Sequence, residues 1–226
     1  MPDWYIPQAS SYAGDVDFLI LLISAIVLPW LLLSEGMFFW LLWRFRAREG
    51  QKAQYITGDE PQLKRWITVP HAIIIALDVI IIVGAINVWY KVKLQMPAAD
   101  EVVRVTAQQW AWVFQHPGAD GKLDTADDIT VVDELHVVEG KTYHFELQSR
   151  DVLHSFFIPA FRLKQDMIPG RVITGWFKPT RAGEYDINCA EICGIGHGLM
   201  PAKLVVEQPA QHAAWIAEHN PGLASR

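Results

Sequence analysis

Residues 102–115 read VVRVTAQQWAWVFQ, and the reading of this stretch decides the fold. β-Branched and aromatic residues alternate here with polar ones at the two-residue period of a half-buried strand. The pattern recurs downstream in ITVVDELHVV (129–138), TYHFELQS (142–149), VITGWFKP (172–179) and AKLVVE (202–207). Turn residues separate the runs: Pro117-Gly118, Glu139-Gly140-Lys141, Pro169-Gly170 and Ala182-Gly183. Many short strands punctuated in this way predict a β-sandwich or barrel. The tail QHAAWIAEH (211–219) predicts a short closing helix.

Upstream of Met96-Pro97 the character is different. FLILLISAIVLPWLLL (18–33) and MFFWLLW (37–43) form one apolar stretch from Val16 to Trp43, and VPHAIIIALDVIIIVGAINVWY (69–90) a second. About 20 such residues suffice to cross a bilayer, so both predict spanning helices, the first bent at Pro29. The leading residues of the first stretch include Asp3, Asp15 and Asp17, and it is too long for the core of a cleavable signal. Arg44, Arg46, Arg48, Lys52, Lys64 and Arg65 crowd the connection and mark it as cytoplasmic, which places both termini outside. Trp40, Trp43, Trp89 and Tyr90 are expected at the membrane interfaces. Glu35 and Asp78 fall inside the spans, where acids mark contact with partner subunits or a proton path.

Hydrophobic residues make up 51% of the 226-residue chain, whose formal net charge is −6. That sign disfavours nucleic acid as a partner and suits a basic one. There are two cysteines, Cys189 and Cys193, too few for a disulfide framework.

The cysteines lie in Cys189-Ala-Glu-Ile-Cys193-Gly-Ile-Gly-His197-Gly-Leu-Met200, with His154 upstream. Two thiolates, two imidazoles and a thioether are soft to borderline donors that select copper or zinc over magnesium or calcium. A closed zinc site uses two cysteines and two histidines but leaves Met200 without a role. A disulfide leaves the histidines and Met200 without one. A mononuclear blue-copper site needs one thiolate fewer. A dinuclear copper centre uses the whole set: both sulfurs bridge, His154 and His197 are terminal, and Met200 and the Glu191 carbonyl are weak donors. Gly194, Gly196 and Gly198 are expected to let the loop turn.

These motifs resemble cytochrome c oxidase subunit II, the family with the dinuclear CuA centre. The resemblance runs through the paired helices, QQWAWVF (108–114), DVLHSFFIPAFRLKQDMIPGR (151–171) and GEYDINCAEICGIGHGLMPAKLVVE (183–207). It implies an α+β membrane protein: a two-helix transmembrane anchor over residues 1–96, with helices about 16–43 and 67–92, then an extracytoplasmic cupredoxin-like sandwich over 97–226. It implies the copper ligands His154, Cys189, Glu191, Cys193, His197 and Met200. It further implies a magnesium ion reached by the Glu191 side chain at the contact with the catalytic haem-copper subunit, and a third subunit beside them.

The resemblance makes Trp110 the residue that receives electrons from cytochrome c, with Trp112 on the same strand face as a packing ring. Asp120, Asp124, Asp127 and Asp128, in GADGKLDTADD (118–128), form an acidic rim suited to steering a basic cytochrome; a calcium loop is the alternative, although the spacing departs from an EF-hand. Arg162, Lys164, Asp166 and Arg171 resemble residues at the interface with the catalytic subunit, where Asp166 lies near a proton exit. Leu63 stands where many members carry a glutamate at the mouth of a proton channel, with Glu60 or another subunit as the substitute. No Cys-x-x-Cys-His motif occurs, so no haem is expected on this chain. The implied function is to accept electrons for an oxygen-reducing, proton-pumping oxidase; a CuA-type nitric oxide reductase is the rival.

Overall fold

The computed structural model describes residues 6–53 and 55–220. The sequence-based placement of the two termini falls on residues 1–5 and 221–226, which lie outside the described residues. Two compact units emerge: Asp15–Tyr90, and residues 6–14 with residues 91–220.

The first unit contains α1 (Ala13–Arg44) and α2 (Pro61–Trp89). At about 1.5 Å per residue, each exceeds the ~30 Å hydrocarbon core of a bilayer. The most apolar window of each helix is unburied, with Phe18, Leu21, Leu32, Ile75 and Val83 exposed. Such surface is stable only when lipid or another subunit covers it. Gly84 lets the two helices approach, since a Cβ there would sit 3.3 Å from Leu22 Cδ2 and 3.4 Å from Leu19 Cδ1. Both helices start before the apolar runs that predicted them. α2 opens on Pro61, whose fixed φ and missing N–H suit a first turn. The Glu60 carboxylate, the candidate substitute for the absent glutamate, accepts bonds from the Thr57 N–H and hydroxyl and the Gly58 N–H. A π-helical turn, Tyr90–Leu94, follows α2.

The second unit is a sandwich of two five-stranded sheets. Its strands are β1 (Glu101–Gln108), β2 (Ala111–His116), β3 (Ile129–Val132), β4 (Glu134–Val138), β5 (Tyr143–Ser149), β6 (His154–Ile158), β7 (Leu163–Met167), β8 (Ile173–Phe177), β9 (Gly183–Cys189) and β10 (Ala202–Glu207). One sheet has the order β3-β2-β1-β5-β8, the other β4-β10-β9-β6-β7. β1 pairs with β5, and β10 with β4, in parallel; the remaining pairs are antiparallel. Alternation turns Val103, Val105 and Ala107 of β1, and Trp112 and Phe114 of β2, into a core shared with Phe145, Phe156, Leu204 and Val206. A closing helix, α3 (Pro209–His219), packs through Trp215, which stacks on His136 at 4.3 Å between centroids.

Residues 6–14, which the sequence reading grouped with the anchor, cluster with the sandwich. The main chain supplies the reason: Ala9 N–H donates to the Ala160 carbonyl, and its own carbonyl accepts from Thr180 N–H, both at 2.9 Å. Ser10 bridges Pro179, and its hydroxyl donates to the Phe161 carbonyl. Ala9 and Tyr12 are fully buried. The Arg162 guanidinium, expected at a subunit interface, donates to the carbonyls of Ile6, Pro7 and Pro159 and so fastens this segment.

Candidate metal centre

Three connections converge at one end of the sandwich: the β1–β2 turn at Gln109-Trp110, the β5–β6 loop ending at His154, and the β9–β10 loop from Cys189 to Met200. Cys189 Sγ lies 3.8 Å from His154 Nδ1 and 3.3 Å from the Glu191 carbonyl oxygen. Cys193 Sγ lies 3.6 Å from His197 Nδ1 and 3.4 Å from Met200 Sδ. The sulfurs are 3.9 Å apart, both cysteines being free, against about 2.05 Å for a disulfide. Each sulfur therefore has its own imidazole and its own weaker donor.

His154, Cys189 and Cys193 offer ligand atoms that all lie within 4.8 Å of one another; His197 is not in that set. Metal–sulfur bonds of about 2.3 Å and metal–nitrogen bonds of about 2.0 Å leave donors on a shared ion some 3.3–3.8 Å apart. Both sulfur–imidazole distances fit. Burial, then the neighbouring Cys189, pushes the Cys193 thiol well above its ordinary pKa. Two adjacent thiolates there need cationic partners, which soft metal ions supply.

The surroundings orient the donors. His154, fully buried, turns Nε2 toward Asp151 Oδ1 at 2.9 Å, which leaves Nδ1 facing the sulfur. Burial works against the Asp151 carboxylate, but the Gln109 N–H and the His154 ring hold its pKa below the ordinary value. Gln109 Nε2 donates to the Cys193 carbonyl at 2.8 Å. The sequence reading missed Asp151 and Gln109. The spacing Asp-x-x-His in 151–154 was the available signal for the first.

Trp110 and Trp112 do not share a strand face: Trp110 sits in the turn before β2 and Trp112 within it. Trp110 is 37% exposed, and Trp112 is fully buried. The loop glycines also divide their roles. Gly194 takes φ +123°, as expected of a turning residue. Gly196 has an ordinary φ of −91° and serves instead to make room, because a Cβ there would lie 2.3 Å from Trp110 Cδ2. Gly198 meets nothing within 4 Å.

The remaining candidates fall in two places. The acidic residues occupy the β2–β3 loop, at the other end of β2 from Trp110, about 20 Å away along six residues. Asp124 pairs with Arg104 at 2.6 Å, Asp127 accepts from the Thr125 hydroxyl, and Asp128 accepts from Gln115 and the Asp124 N–H. Lys164 pairs with the Glu191 carboxylate at 2.9 Å and lies 3.9 Å from Asp166, whose carboxylate accepts from Ser155. Arg171 is exposed.

The profile of the family described as cytochrome c oxidase subunit II, periplasmic domain, matches residues 101–208. The alternative cytochrome c oxidase subunit 2 of Bradyrhizobium diazoefficiens is 32% identical, the alignment covering 100% of this chain and 88% of that protein. The cytochrome c oxidase subunit 2 of Cereibacter sphaeroides is 27% identical, with 96% and 80% covered. Among solved structures, the periplasmic domain of subunit II of cytochrome oxidase from Bradyrhizobium japonicum superposes with a TM-score of 0.50 at 28% identity, covering 55% of this chain and 96% of that domain. With its two membrane-length helices, this is a membrane protein carrying an extracytoplasmic β-sandwich. The chain belongs to the cytochrome c oxidase subunit II family, and so to the electron-entry subunits of haem-copper oxidases.

Proposed function

We propose that this subunit takes single electrons from a soluble or tethered cytochrome c at a dinuclear CuA centre and hands them to haem in the catalytic subunit, where oxygen is reduced to water with proton pumping. His154, Cys189, the Glu191 carbonyl, Cys193, His197 and Met200 hold the two ions. When bound, the copper pair supplies a one-electron carrier whose charge is shared by both ions. The observation that carries this reading is the position of His197 outside the compact His154–Cys189–Cys193 set. A single tetrahedral ion would need all four donors drawn together, whereas a pair of ions sharing the two sulfurs would be held with His154 and His197 apart. Copper analysis and electron paramagnetic resonance of the purified full chain test the proposal. Two coppers with one delocalised spin are expected; a single zinc, or a type-one copper signal, overturns it.

Trp110 is the receiving residue in this reading, because it alone of the two tryptophans reaches solvent while its ring covers the ligand loop. Gly196→Ala is expected to push the ring away, slowing reduction by cytochrome c several-fold while both coppers remain. Unchanged stopped-flow reduction rates would remove Trp110 from the path. Asp120, Asp124, Asp127 and Asp128 steer the donor through their field rather than by direct contact with the Trp110 interface.

The Glu191 side chain is the proposed magnesium ligand toward the catalytic subunit, with the Lys164 ion pair giving way when the ion binds. Lys164, Asp166 and Arg171 face the same subunit, and a third subunit completes the complex. Arg162 is assigned to the internal N-terminal clasp. Residues 97–226 and both termini lie outside, and the basic connection between the helices is cytoplasmic. The oxygen-reducing reading is favoured over a nitric oxide reductase because the relatives above are named cytochrome c oxidases.

A further inference from the structure

We infer that Trp112 is a positioning residue that sets the axial thioether of the copper centre, an assignment that rests on the copper reading above. Its indole Nε1–H donates to the Met200 carbonyl at 2.8 Å, and both residues are buried. The ring meets His154 edge-on at 6.4 Å between centroids and Phe156 at 5.8 Å. One side chain therefore touches two ligands from different loops.

The indole is itself held rigidly. Trp112 N–H donates to Asp133 Oδ1 at 2.8 Å, and Asp133 N–H donates back to the Trp112 carbonyl at 2.9 Å. The Asp133 carbonyl then accepts from Lys203 N–H at 2.9 Å, just beyond the ligand loop. The exit of the loop is thus tied at two points, Met200 and Lys203, to the same strut. With the Met200 main chain fixed, its thioether is held 3.4 Å from Cys193 Sγ. Axial donor strength is a recognised control on the potential of copper–thiolate sites. Without the N–H, the buried Met200 carbonyl lacks its donor, and the loop gains by moving it toward water. The thioether then draws back, and weaker donation to oxidised copper raises the potential.

The test replaces Trp112 in the full chain with β-(3-benzothienyl)alanine, which keeps the shape of indole but lacks the N–H, and in parallel makes Trp112→Phe. Phe156→Leu is the control, loosening the packing against the indole while leaving the hydrogen bond. The benzothienyl variant is expected to keep two coppers per chain, to show an upward shift in midpoint potential, and to change the copper hyperfine splitting; Phe156→Leu should shift neither. The inference is overturned if the benzothienyl variant keeps the wild-type potential and splitting, or if Phe156→Leu shifts them equally. Should wild-type protein itself lack two coppers with a shared spin, the copper reading fails instead. The two failures are therefore distinct, and the benzothienyl form gives the answer even where Trp112→Phe does not fold.

Discussion

Cys193→Ser is expected to abolish the delocalised two-copper spectrum of the proposed centre and to bring electron uptake from cytochrome c down to background. Cys193 Sγ stands among three donors: Met200 Sδ at 3.4 Å, His197 Nδ1 at 3.6 Å and Cys189 Sγ at 3.9 Å. Serine is close in size, so a residue only 3% exposed is replaced without overpacking. Its hydroxyl is a hard, rarely ionised oxygen, unable to stand in for a bridging thiolate toward copper. In the proposed centre Cys189 alone would then join the ions, and the symmetric sharing of charge would be lost. Copper analysis and paramagnetic resonance on the variant decide the matter, with circular dichroism confirming the strands. Two coppers and an unaltered spectrum would show that the Cys193 sulfur does not bridge.

Acidification is expected to destabilise the sandwich through His116, at the far end of β2 from the Cys189–Met200 loop. This side chain is fully buried, and neither ring nitrogen has a hydrogen-bond partner among the described residues. Burial, and then the nearby His212 and His136, lower its pKa to about 3. The unfolded imidazole titrates near 6.5, so between about pH 6.5 and 3 the unfolded chain binds a proton that the folded chain excludes. The stability that depends on neutral His116 is full above that window and is lost as pH falls through it. His136 and His212 both hold the Glu207 carboxylate, at 3.2 and 2.8 Å, and His136 Nε2 lies 3.5 Å from Glu134. The comparison therefore needs a variant that changes His116 alone. From pH 7 to pH 5, wild type should lose about 2 kcal/mol more than His116→Leu. Denaturant unfolding of the sandwich at both pH values measures it, and parallel losses in the two proteins would exonerate His116.

The alternation in 102–115 was enough to predict the strand class, because a two-residue period is a local property that survives packing. It was not enough to separate Trp110 from Trp112. Two residues apart on a continuous strand they share a face, but the turn at Gln109-Trp110 interrupts the strand. One ring is left over the ligand loop and the other in the core. Residues 6–14 carry no pattern at all. Their place comes from carbonyls and N–H groups offered by Ala160, Lys178 and Thr180, which no local spacing reveals. Asp151 and Gln109 were missed for a related reason, since a polar residue becomes an orienting group only through what lies opposite it. The acidic loop was legible as charge, but its distance from Trp110 depends on the length and direction of β2.

From the sequence alone follow the two membrane-length helices, the sandwich and the six candidate copper donors, because apolar length, alternation and donor chemistry are written residue by residue. Tertiary structure alone pairs each sulfur with its imidazole, sets His197 apart from the compact trio and ties Trp112 to Met200. Cys189 with His154, and Trp112 with Met200, are far apart in the chain, and sheet pairing, a non-local balance of burial and hydrogen bonding, brings them together.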